Sequence, residues 1–134
     1  STQPPDLTKS EHWMNFGIGR TGFNLQCLLN SKEKWIGVYL YFKSIDTKAH
    51  FELLRKECEK IEQQLGTLEW KNLPEKKSSR IGLRRLDSDP MIEADWPRQI
   101  SWVVENLQAF NKTFRPLVKS LEASEWHPDD ESDV

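Results

Sequence analysis

The sequence predicts an α+β domain with the element order βββαββα, an antiparallel sheet with two helices packed on one face. Three observations predict it. Residues 12–43 alternate apolar and polar with a period near two, and so do 68–73 and 80–86. Two other stretches, one after Asp46 and one after Asp95, carry apolar residues at three- and four-residue steps. No repeated series of strand–helix–strand units appears that would call for a parallel sheet.

The elements follow in order. Residues 1–10 are polar and contain Pro4-Pro5, so they form a flexible arm. Phe23, Leu25, Cys27 and Leu29 alternate with polar neighbours. Ile36, Val38, Leu40 and Phe42 alternate with Trp35, Gly37, Tyr39 and Tyr41. With turns at Gly19–Gly22 and Asn30–Lys34, this is a three-stranded meander. Asp46 or Thr47 can cap one helix whose stripe is Phe51, Leu54, Cys58, Ile61 and Leu65, ended by Gly66. A second hairpin surrounds Pro74–Ser79. Asp95 caps a final helix carrying Trp96, Ile100, Val103, Leu107, Phe110, Phe114, Leu117 and Leu121, which Pro116 should kink or split. From Glu122 to Val134 there are six acidic residues and no Lys or Arg, the composition of an acidic tail. The domain therefore spans 11–121. Phe51, Leu54, Ile61, Ile100, Leu107 and Phe114 are expected in its core.

Bulk properties narrow the function classes. At 134 residues with 37% hydrophobic and 30% charged residues, the chain suits one globular domain. Its net charge of -2 gives no global bias towards nucleic acid, so any such signal must be local. No apolar run approaches the roughly 20 residues of a membrane helix. Cys27 and Cys58 lie far apart at no metal-ligand spacing, as expected of small buried side chains in a reducing, cytoplasmic setting. The chain begins Ser1-Thr2-Gln3 without methionine, as a processed or excised product would.

Candidate motifs are few. Gly17-Ile18-Gly19-Arg20-Thr21-Gly22 fits the dinucleotide fingerprint literally, but the segment after Gly22 alternates like a strand and supplies no crossover helix. Glycines in a hairpin turn account for it, and no cofactor is expected. Glu69-Trp70-Lys71 matches half of a metal-dependent nuclease motif, with Asp46 the nearest second carboxylate. His12, His50 and His127 pair with no nucleophile or ligand at a diagnostic spacing, so no metal or catalytic site is expected.

The basic cluster is more informative. Lys71, Lys76, Lys77, Arg80, Arg84 and Arg85 are opposed only by Glu75, a local charge of +5. Strand alternation places Lys71, Arg80 and Arg84 away from the helices. It places Trp35, Tyr39, Tyr41 and Lys43 on that same open face. Aromatic planes among cations are what unpaired bases and phosphates need. The expectation is a binding surface for DNA or RNA made of Trp35, Tyr39, Tyr41, Lys71, Lys76, Lys77, Arg80, Arg84 and Arg85. Two alternatives stay open: a protein-interaction or homodimerisation module using the aromatic face, and a metal-dependent nuclease using Glu69 and Lys71.

Scattered residues in a fixed order also carry a resemblance. They are His12-Trp13, Gly17-Ile18-Gly19, Phe51, Leu54, Ile61-Glu62, Leu65-Gly66, Leu68-Glu69-Trp70, Arg80-Ile81, Trp96, Phe110 and Phe114-Arg115-Pro116. Together they resemble a bacterial domain-of-unknown-function family, the one numbered 4268. The resemblance implies a domain that often lies at the C-terminal end of larger proteins with a restriction-type nuclease front part, hence a DNA-related role with such a nuclease domain as a partner, and the reading adopted is a non-catalytic accessory module. It transfers no catalytic residue.

Overall fold

In a computed structural model, the protein is described over residues 11–128. The arm at 1–10 and the end of the acidic tail at 129–134 lie outside the described residues. Five strands run antiparallel: β1 (Glu11–Gly17), β2 (Phe23–Asn30), β3 (Trp35–Lys43), β4 (Glu69–Leu73) and β5 (Ser78–Arg85). Their spatial order is β1-β2-β3-β5-β4. The helices are α1 (Thr47–Lys56), α2 (Cys58–Leu65) and α3 (Trp96–Ser120). The α+β class and the antiparallel sheet agree with the sequence.

Register fixes the two faces. Leu25 pairs with Leu40, and Leu40 with Ile81, so these side chains stand on one face. Phe51 and Leu54 of α1, Ile61 of α2, and Phe110, Phe114 and Val118 of α3 join them in a single apolar cluster. α3 lies against β2 and β3, and α1 against β4 and β5. The Glu62 carboxylate ties α2 to β4 by accepting from the Leu68 amide at 2.8 Å and the Trp70 indole at 3.2 Å. Those bonds, the backbone one first, hold its carboxyl below the usual range.

The glycine motif forms the β1–β2 turn, where Gly19 and Gly22 take φ values of 92° and 89°. Between them Arg20 reaches the end of α3, donating to the carbonyls of Val118 and Leu121 at 2.8 Å each. It ties the turn to the helix end, adding a donor to the Val118 carbonyl, which also accepts from the Leu121 amide at 3.4 Å.

Several expectations need correction. The first helix is two. The Glu57 amide bonds the Leu54 carbonyl in a tight turn at 2.9 Å, and the ladder restarts from Glu57 to Ile61. Neither Asp46 nor Asp95 caps a helix through its side chain. Asp95 instead bonds Arg98 Nε at 2.7 Å and Gln99 Nε2 at 3.0 Å, which hold its carboxyl down at about 2. Pro116 removes one amide but does not split α3, because Phe114 and Val118 on either side are anchored in the core.

Ile100 is not core: it is 58% exposed. The buried side of α3 begins at Gln99, which donates to the Asp89 carbonyl at 2.8 Å, and continues through Val103 to Phe110. Ile100 sits a residue further, about 100° round the helix. The tail also begins with structure. Ala123–Glu125 forms a short turn against α1, and Lys48 lies 5.8 Å from the Trp126 ring centroid.

Candidate nucleic-acid interface

The face turned away from the helices is built strand by strand. β3 contributes Trp35, Gly37, Tyr39, Tyr41 and Lys43. Register places Arg84 opposite Gly37, Gly82 opposite Tyr39, and Arg80 opposite Tyr41. β4 adds Glu69, Lys71 and Leu73. β1 and β2 add Trp13 opposite Leu28, and Asn15 opposite Gln26. Trp13, Tyr39, Tyr41, Lys71, Arg80 and Arg84 are among the residues that line a groove of about 590 Å³ on this face.

Its floor is aromatic, and two of the rings are covered. Tyr39 is 2% exposed and Trp35 is 9% exposed. The reason is local. Gly37 and Gly82 have no side chains, so the Tyr39 ring settles over both. Arg80 then lies over Tyr39 at 5.5 Å from its centroid, and Arg84 over Trp35 at 5.0 Å. Each cation–π contact contributes roughly 0.5–2 kcal/mol, more as water is excluded. Trp35 and Tyr39 are therefore a floor beneath arginines and not open platforms. Tyr41 is half-buried, and Trp13 at the β1 edge is 63% exposed.

Glu69 organises the cations. It accepts from Arg84 Nε at 2.9 Å, pairs with Lys71 Nζ at 3.2 Å, and lies 3.4 Å from the Tyr39 hydroxyl. Burial first, and the Glu69 charge second, push the Tyr39 phenol well above its ordinary value. Desolvation pulls the Arg84 guanidinium down, but its bond to Glu69 and that charge outweigh it and raise it. The groove is thus lined by Lys71, Lys76, Arg80 and Arg84, with Glu11 the carboxylate on its far side. Two buried donors in the wall, Trp35 Nε1 and Arg80 Nε, have no hydrogen-bond partner.

Comparison with known proteins now bears on the chain. A family described as a domain of unknown function (DUF4268) matches residues 3–118. The chain belongs to the DUF4268 family. It is also similar to a protein of Bacillus subtilis (strain 168) named an uncharacterized HTH-type transcriptional regulator, YybR. They share 31% identity over 94 residues, which is 69% of this chain and 62% of that protein. The chain thus spans less than two thirds of that relative's length. No solved structure matches.

Seven of the nine sequence-predicted residues of this DUF4268 chain line the groove: Trp35, Tyr39, Tyr41, Lys71, Lys76, Arg80 and Arg84. The other two do not. Arg85 pairs with Ile36 and so stands on the helix side of the sheet. Lys77 follows a tight turn in a left-handed conformation, φ 53°, with its carbonyl 2.9 Å from Thr47 Oγ1. Sequence reasoning missed Trp13, Asn15, Gln26 and Leu28. Their alternation was present in β1 and β2, but only the register with β3 shows that they share its open face.

The two halves of the nuclease motif do not converge in this DUF4268 chain. Thr47 ties the start of α1, next to Asp46, to the Lys77 end of β5. Glu69 lies at the other end of β4, four residues along, about 13 Å by strand geometry. Among the described residues no group of three or more His, Cys, Asp or Glu side chains comes together to hold a metal ion. No described helix is long and apolar enough to cross a membrane.

Proposed function

We propose that the protein is a non-catalytic module that binds nucleic acid on the open face of its sheet. One observation carries the reading: a single groove gathers Lys71, Lys76, Arg80 and Arg84 beside Tyr41 and Trp13. Cations neutralise phosphates and release their counterions, while rings offer planes to bases. The relative named as a transcriptional regulator supports a role near nucleic acid. The helices are the weaker candidate for contact. α1 and α2 are separated by Glu57 alone, shorter than the turn of about three to four residues in a helix-turn-helix. The role implied by the family resemblance, beside a restriction-type nuclease, fits a module that supplies binding while another domain supplies chemistry.

Fluorescence anisotropy with labelled oligonucleotides at low salt tests this. Binding that weakens steeply with salt is expected. No binding below about 100 micromolar to single-stranded or duplex probes would end the reading.

A second reading, homodimerisation, has its own observation. β1 is an edge strand that exposes Trp13 and Phe16 and carries no Lys, Arg or Pro to discourage pairing. A concentration-dependent dimer in sedimentation, lost on replacing Phe16 with Lys, would support it.

A further inference from the structure

The cations lining the groove lie on one side only, and the far side carries the Glu11 carboxylate. Lys71, Lys76, Arg80 and Arg84 belong to β4, β5 and the turn between them. The opposite side, on β1 and β2, presents Trp13, Leu28 and the amides Asn15 and Gln26. β3 and β2 lie between β5 and β1, so the two sides stand about 14 Å apart at ordinary strand spacing. Tyr41 occupies the middle, between Arg80 on β5 and Asn24 on β2.

This asymmetry distinguishes two forms of nucleic acid. A duplex carries phosphates on both sides of each groove and keeps its bases stacked inside. A single strand carries phosphates along one edge and leaves its bases free on the other. Building on the nucleic-acid reading, we infer that the face takes single-stranded nucleic acid, with its backbone along β4 and β5 and its bases turned towards β1 and β2. Trp13 and Tyr41 supply the stacking planes. The Gln26 amide donates to Asn15 Oδ1 at 2.9 Å, which leaves Gln26 Oε1 and Asn15 Nδ2 as an acceptor and a donor for a base edge.

The test uses four fluorescein-labelled probes of about 12 nucleotides, within the span of such sites. They are an oligothymidylate, an oligouridylate, an abasic strand and a duplex. The full chain and a Trp13→Ala variant are titrated with each. Trp13 is exposed, so its truncation leaves the core intact. Expected is at least tenfold tighter binding of a base-bearing strand than of the abasic strand or the duplex. Trp13→Ala should remove most of that difference and leave abasic binding unchanged. Duplex binding as tight as single-strand binding, or no effect of Trp13→Ala, overturns the inference and leaves the broader reading standing. Failure of every probe to bind overturns both.

Discussion

Tyr39 lies directly over Gly82, its cross-strand partner. A Cβ added to Gly82 would meet Tyr39 Cδ2 at 2.5 Å and the Val38 carbonyl oxygen at 2.2 Å. Neither can move without shifting β3 itself, because one is a ring fixed under Arg80 and the other is backbone. Gly82→Ala should therefore destabilise the protein by about 1–3 kcal/mol, the usual cost of overpacking. Urea denaturation measures it. A variant as stable as the parent would mean that the floor of the groove is loosely packed.

The two ends of α3 should respond differently to truncation. Phe114 is fully buried and packs on Phe110 with ring centroids 5.5 Å apart. Phe114→Ala should cost about 3–5 kcal/mol. Ile100→Ala should change stability by no more than about 0.5 kcal/mol, since exposed substitutions rarely do more. Melting curves of the two variants side by side check both values.

His50 should make stability depend on pH. It is buried against the Phe23 ring, and both ring nitrogens lack a hydrogen-bond partner. Burial first, then the Arg20 charge, lower its pKa below 6.5, against the opposing pull of Asp46 and Glu122. The unfolded chain therefore takes up a proton near pH 6.5 that the folded chain refuses until lower pH. Stability should fall as the pH drops through 6.5, and the loss should end below the folded pKa. Thermal melts at pH 7.5, 6.5 and 5.5 read the slope. His50→Phe should flatten it; an unchanged slope would assign the effect elsewhere.

Much of this architecture was legible because alternation is a strict code. In β3, Val38, Leu40 and Phe42 join the helices in the core cluster as their spacing requires, and Ile36 shares their face by alternation. The cations of the second hairpin were equally visible as a run. What the sequence hid depended on partners. Nothing in the 47–65 stripe marks Glu57 as a break, because Phe51, Leu54 and Ile61 keep helical spacing across it. Alternation showed that Tyr39 points outward, but only cross-strand register brings Gly82 beneath it and Arg80 above it. Trp13 joined the site only once β1 was paired with β2.

Arg84 and Arg85 are neighbours in sequence but stand on opposite faces of β5, and this offers the sharpest test of where nucleic acid binds. Arg84 is a poor probe itself, since it covers Trp35. Lys71 and Lys76 are better choices: both are exposed and both line the groove. Exposed charges contribute little to stability, so reversing them should leave the fold intact. Removing one phosphate-binding cation should reduce the slope of log affinity against log salt by about 0.7 for a single strand. Lys71→Glu with Lys76→Glu should then weaken binding at low salt and flatten the slope by about 1.4, twice that value. Arg85→Glu changes net charge by the same amount per residue, but on the helix side, and should leave the slope unchanged. Anisotropy titrations across a salt series compare the three proteins. A loss from Arg85→Glu half as large as that of the double variant would mean that general charge, and not this face, attracts the nucleic acid.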